Sequence, residues 1–344
     1  MSAGKGDSKS RIGTEKCDVV IIGAGPAGLS ASIFGARSGL KCIVLEKGVA
    51  GGQVMVSPWI ENYLGFPHIE GMKLVELMSA HAREYVEIRE GIEVEGIESE
   101  GDIFRVIATG SQLECRGIIL ATGAMHKKFG ASGEKEYYGK GVSYCATCDG
   151  FFFRNKKVVA VGGGNTAVTD ALYLQSIGCD VTLIHRRDAL RADKHLQDMA
   201  AEKKLKIMLN TVLEKISGDN NVVTEVEIRN TTTDAKSILP ADGVFVAVGV
   251  VPCSELAKTL CVRVDKYGFV DVDKGYRTNI PFVYAAGDLT GGILQIVAAV
   301  HGGAVAALSA FEDLADPYYA RTRAGDRSVC PVPVISEKGN SSEN

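Results

Sequence analysis

The chain has 344 residues, longer than one typical domain, and its 46% hydrophobic and 23% charged residues are those of an ordinary soluble globular protein. A formal net charge of −4 supplies no basic surface, so neither nucleic acid nor an anionic membrane is expected as a partner. Residues 1–16 are polar with no apolar run and read as a tail rather than a secretory signal.

Residues 19–47 read VVIIGAGPAGLSASIFGARSGLKCIVLEK. A β-branched run, a Gly-x-Gly-x-x-Gly turn at Gly23, Gly25 and Gly28, a helix-period stretch and a second apolar run make a βαβ unit with the dinucleotide fingerprint. The first glycine permits the tight turn, and the second lets backbone N–H groups approach a pyrophosphate at the helix N-terminus. The third lets helix and strand pack closely. Glu46 ends the second run, where a carboxylate accepts hydrogen bonds from a ribose 2′-OH. The apolar run GIILATG, 117–123, predicts another strand that closes this first unit.

Next comes GVSYCATCDGFFF, 141–153. Its C-x-x-C places Cys145 and Cys148 within disulfide reach, and their surroundings can activate one thiolate. Zinc is the competing reading, but no second C-x-x-C or C-x-x-H supplies further ligands, so no metal is expected. Asp149 suits a proton donor or acceptor for a sulfur leaving group, and equally a helix N-cap.

Residues 158–187, VVAVGGGNTAVTDALYLQSIGCDVTLIHRR, repeat the first unit without a gap. Gly162 falls on Gly23, Gly164 on Gly25, Ala167 on Gly28 and Gly178 on Gly39. The position equivalent to Glu46 is His185, followed by Arg186, Arg187 and, farther on, Arg191. A carboxylate there would repel a 2′-phosphate, whereas guanidinium groups bind one bidentately. The first site therefore suits an adenosine with a free 2′-OH, and the second suits NADP(H).

GVFVAVG, 243–249, closes the second unit, and VYAAGDLTGGILQ adds a strand and a helix expected to begin near Gly292. From that position the helix N-terminus would stabilise negative charge on a cofactor. Residues 293–311 approach the length of a membrane span, but Gln295, His301, Gly302, Gly303 and Ser309 interrupt them, which favours a buried core helix. The expected fold is α/β: two Rossmann-like, three-layer dinucleotide-binding domains with the second inserted into the first. Boundaries fall at 17–124 plus 250–320, and at 125–249, with a disordered tail over 321–344. Nine cysteines, mostly single within apolar strands, fit a cytoplasmic location.

CATCDG after a first dinucleotide unit, then GGGNTAV, HRRDALRADK and GDLTGGILQ, together resemble the low-molecular-weight thioredoxin reductases. The resemblance runs from about Cys17 to about Pro317. It implies a homodimer in which NADPH reduces FAD, FAD reduces the Cys145–Cys148 disulfide, and the dithiol reduces thioredoxin or a thioredoxin-like protein. By resemblance, FAD would be held by Gly23, Gly25, Pro26, Ala27, Gly28, Glu46, Lys47, Gly51, Gly52, Gln53, Asn62, Ala121, Gly123, Asp288, Gln295 and Ile296. NADPH would lie on Gly163, Gly164, Asn165 and Thr166, with His185, Arg186, Arg187 and Arg191 at its 2′-phosphate. Family domains rotate relative to each other, and 121–127 and 247–251 would be the hinges. Leu294 stands where many members carry arginine. The six histidines offer no obvious His–Glu acid/base pair. Three alternatives remain: the same electron path to a glutaredoxin-like protein or a small dithiol, a deazaflavin donor, and a non-catalytic redox sensor.

Overall fold

A computed structural model describes residues 14–57, 60–219 and 222–315; most of the expected N-terminal tail and all of the 321–344 tail lie outside the described residues. The chain divides into two compact units, one formed by residues 1–55, 72–124 and 252–344, the other by 56–71 and 125–251. The short segment 56–71, which carries Asn62, thus groups with the second unit rather than with the flanking chain of the first.

The first unit holds a five-stranded parallel sheet, in the order Val283–Ala285, Gly117–Leu120, Val19–Ile22, Cys42–Glu46, Glu87–Glu90. Its inner strands are continuous apolar runs because a parallel sheet is covered on both faces. The helix Pro26–Arg37 starts with proline in its first turn, where the missing N–H costs nothing, and ends ahead of Gly39 at φ +94°. Antiparallel strands at Val94–Glu100, Ile103–Ala108 and Ser111–Cys115 lie between the third and fourth strands of the chain path.

The second unit repeats this plan. Its parallel sheet runs Val142–Ser143, Gly243–Val246, Lys157–Val161, Asp180–Ile184, Lys206–Met208, and an antiparallel trio spans Thr211–Asp219, Val222–Asn230 and Lys236–Pro240. Strand alternation divides the core into two layers. Val158 and Ala160 pack with Ala167, Val168, Ala171 and Leu174 of the helix Asn165–Ser176. Val159 and Val161 pack with Leu213, Ile216, Val226 and Ile228 of the antiparallel trio. The result is three layers: helices, parallel sheet, antiparallel sheet.

The last described helix, Ile296–Ala315, begins four residues after Gly292. Gly291 and Gly292 both take φ +74°, a left-handed conformation that cannot open an α-helix, so the chain turns there first. The helix is long and apolar enough to cross a membrane by composition, yet its small-residue face is packed inside the first unit. A Cβ at Gly303 would fall 2.0 Å from the Ala27 carbonyl oxygen, so the two helices touch backbone to backbone. Its buried Asp313 is paired with Arg277 at 2.7 Å and accepts the Tyr284 hydroxyl at 2.9 Å. Those partners offset the desolvation of a carboxylate in the core.

Candidate active site

In the first unit the glycine turn is fixed by backbone contact. Gly23 takes φ +106° and lies against Ala121, whose oxygen would be 2.3 Å from a Cβ at Gly23. A Cβ at Gly28 would be 1.8 Å from the Gly23 carbonyl oxygen, so no larger residue fits there. Gly25 faces open space. The Gly51 N–H donates to the Ala24 oxygen at 2.8 Å, and a Cβ at Gly52 would lie 3.3 Å from Gly25. These contacts bring Gly23, Gly25, Gly28, Gly51, Gly52 and Ala121 together. Gln53 donates to the Ala124 oxygen. Glu46 accepts the N–H groups of Ala24 and Gly48, each at 2.8 Å, which fixes its carboxylate at the turn with lone pairs to spare. Gly287 lies against Ala27 and places Asp288 beside the same helix start, where burial pushes the carboxyl up to about 6. Pro26 opens the helix, Lys47 is exposed and Gly123 takes φ +70°. Gln295 and Ile296 mark the start of the final helix, and Asn62 belongs to the other unit.

In the second unit Gly162 takes φ +153°, and a Cβ there would lie 2.5 Å from the Ala247 oxygen and 2.6 Å from the methyl of Ala167, which occupies the third position. The His185 ring lies on Gly163, where a Cβ would be 2.3 Å from it. Burial, and then the charges of Arg191, Arg187 and Arg186, push the His185 pKa down, so the ring is neutral. Its Nε2 is buried without a hydrogen-bond partner, an unmet polar atom at the turn. The loop after the strand folds back, with the Arg191 N–H donating to the Gly163 oxygen at 2.6 Å. Arg186, Arg187 and Arg191 are exposed beside it, and Gly164 faces open space. Asn165 exchanges two hydrogen bonds with Asp193, at 2.7 and 2.8 Å, at the start of the helix Asn165–Ser176. Thr166 is exposed in the first turn of the helix.

The thiol pair lies in the same unit. Cys145 and Cys148 form a disulfide with a Cα separation of 5.3 Å, on a single helical turn, Ala146–Asp149. That turn packs on the helix Asn165–Ser176 through Gly150, where a Cβ would be 2.8 Å from Leu174. The Thr147 hydroxyl lies 3.5 Å from the Cys145 sulfur. Asp149 precedes a 3₁₀ turn at Gly150–Phe153 but its side chain makes no capping hydrogen bond. It accepts instead from the Ser143 hydroxyl at 2.5 Å. Burial raises its pKa, and the Ser143 hydrogen bond opposes that rise. Ser143 escaped the sequence reading because a serine in a strand carries no signal of its own. Burial pushes the Cys17, Cys42 and Cys115 thiols to about 12, so they stay protonated and inert. His126 stacks on Tyr144 at 5.0 Å, and His68 meets Glu61 at 2.8 Å in an exposed pair that the sequence did not reveal.

A family model for pyridine nucleotide-disulphide oxidoreductases matches residues 17–303. The thioredoxin reductase of Listeria innocua is 43% identical over 302 residues, covering 85% of this chain and 92% of its own. This chain belongs to the thioredoxin reductase family. The thioredoxin reductase of Bacillus subtilis is 39% identical over 301 residues, covering 85% of this chain and 93% of its own. The crystal structure of thioredoxin reductase from Streptococcus pyogenes matches with a TM-score of 0.83 at 39% identity, covering 88% of this chain and 99% of that one. The chain is an oxidoreductase acting on a disulfide, and membership in the family implies a flavin and a nicotinamide cofactor.

Proposed function

We propose that this protein is a soluble, cytoplasmic, homodimeric NADPH-dependent thioredoxin-disulfide reductase that uses FAD. The observation that carries the reading is the Cys145–Cys148 disulfide beside a half-buried Asp149, in the unit whose nucleotide turn is flanked by arginines. The first turn fits FAD: Gly25 is open, and Glu46 is fixed as an acceptor where a ribose would lie. The second fits NADPH: Gly164 is open, the His185 Nε2 lacks a partner, and three guanidinium groups flank the turn. When bound, the two cofactors supply the electron pair that opens the Cys145–Cys148 disulfide. The protein's own groups do the rest. The Cys145 thiolate attacks the substrate disulfide, forms a mixed disulfide and releases one substrate sulfur. Cys148 then attacks the Cys145 sulfur, which re-forms the internal disulfide and releases the second substrate thiol. Asp149 holds and delivers the proton that a leaving sulfur needs.

Cysteine variants test this directly. Cys148→Ser should retain the attacking sulfur without the resolving one, so a dithiothreitol-sensitive adduct with oxidised thioredoxin should accumulate on non-reducing gels. Cys145→Ser should trap nothing. Trapping by Cys145→Ser alone would reverse the two roles, and trapping by neither would transfer the activity to a glutaredoxin-like protein or a small dithiol.

A further inference from the structure

Ser143 ends the short strand Val142–Ser143 and is buried, with 4% of its surface exposed. Its hydroxyl accepts the Cys145 N–H at 3.0 Å and lies 2.5 Å from Asp149 Oδ2. The Cys145 carbonyl oxygen is also near, at 3.4 Å. One hydroxyl carries one hydrogen, and the shorter contact to an acidic oxygen takes it. Ser143 therefore donates to Oδ2. The other carboxyl oxygen, Oδ1, is buried and has no hydrogen-bond partner.

We propose that Ser143 is the positioning residue of the Asp149 acid: it holds Oδ2 as an acceptor, leaves Oδ1 as the proton-bearing oxygen, and ties both to the backbone of Cys145. This rests on the reading of Asp149 as a proton donor. A carboxylic acid has two oxygens that can carry its proton. A donor fixed at one of them leaves the proton to the other, because two hydrogens cannot share a 2.5 Å contact. The partnerless Oδ1 then has its proton available for a departing sulfur, with no competing acceptor to give up first. Ser143 also stabilises the ionised carboxylate after that proton has left, by a charge-assisted hydrogen bond. The direction agrees with the titration of Asp149, which burial raises and the Ser143 hydrogen bond lowers.

The experiment follows thiol–disulfide exchange between the pre-reduced holoenzyme and oxidised thioredoxin across pH. It compares the parent with Ser143→Ala, Asp149→Asn and the double variant. Flavin content and far-ultraviolet circular dichroism, measured separately, should match the parent in all four and so report intact folding. Ser143→Ala should slow exchange about tenfold, the effect of one lost charge-assisted hydrogen bond. It should also move the alkaline limb of the pH profile upward, since the raised pKa loses its opposing contact. The infrared carbonyl band of protonated Asp149, identified by its absence in Asp149→Asn, should shift to higher frequency in Ser143→Ala, because its carbonyl oxygen has lost a donor. In the Asp149→Asn background, Ser143→Ala should add little, as expected for two groups acting as one. An equal slowing in both backgrounds, or an unmoved band and pH limb, would overturn the role of Ser143 while leaving Asp149 as the acid. If Asp149→Asn itself exchanges at the parent rate, the proton-donor reading falls and this inference falls with it.

Discussion

The two units share far more than their similar glycine turns. Both parallel sheets place equivalent strands in the same order, and both insert antiparallel strands between the third and fourth strands of the shared chain path. The fifth strand differs in origin: Val283–Ala285 comes from the far end of the chain, whereas Val142–Ser143 comes from just before the second turn. Against this common scaffold, the chemistry diverges at a few positions. The strand end carries Glu46, gripped by two backbone N–H groups, in one unit, and a neutral His185 followed by exposed arginines in the other. The third glycine position carries Gly28 in one and Ala167 in the other. On the proposed assignment, a duplicated fold sets where a dinucleotide goes, and two or three side chains decide which one.

The third position should break the symmetry most sharply. Gly28→Ala drives a methyl group to 1.8 Å from a carbonyl oxygen, so the variant should lose its bound flavin or fail to fold its first unit. The reciprocal Ala167→Gly should cost only about 1 kcal/mol of helix propensity and keep NADPH turnover. Flavin absorbance of the purified variants reads the difference. Loss of the flavin from both, or from neither, would remove the distinction between the turns.

A smaller effect should separate the strand ends. The parent should be reduced by NADPH much faster than by NADH, and Arg186→Ala with Arg187→Ala should erase most of that preference. Each lost charge-assisted phosphate contact is worth about 1.5–3 kcal/mol and should appear mainly in KM. Equal rates with both nucleotides in the parent would refute the assignment of the second site.

The smallest effect concerns half-buried carboxyls; among the described residues each unit has one pushed up to about 6 by burial, Asp288 and Asp170. Asp288 has a proposed ligand and Asp170 has none. A folded-state pKa above the unfolded value gives stability that is present at low pH and lost as pH rises through about 6. Asp170→Asn should therefore stabilise the apoprotein by about 1–3 kcal/mol near pH 8, with the gain vanishing near pH 4. Thermal midpoints at the two pH values check the sign.

Much of this was legible in the sequence because the βαβ turns impose strict demands on residue size. Gly23, Gly25, Gly28 and the C-x-x-C stand out for that reason. The antiparallel layers did not announce themselves: a strand such as Val94–Glu100, VEGIESE, buries only Ile97 fully and alternates too weakly to read. The repeat was visible over a single βαβ segment, although the structure extends it to whole units, because the later strands preserve position rather than residue identity. The start of the final helix was misplaced because the pair of left-handed glycines belongs to the turn before it. Ser143 and the grouping of residues 56–71 depend on contacts across the chain that no local pattern encodes.

The close approach of Gly303 to Ala27 also fixes an order of assembly during synthesis. The Ser30 hydroxyl donates to the Val300 oxygen at 2.7 Å, across a separation of 270 residues. The helix behind the first nucleotide turn therefore lacks its cover until nearly the whole described chain has left the ribosome. The main stretch of the second unit, 125–251, is contiguous and has its own core in hand well before that. The first glycine turn encoded is thus the last completed, and a translation pause after residue 251 should leave the arginine-flanked turn formed while the Glu46 turn still awaits its partner helix.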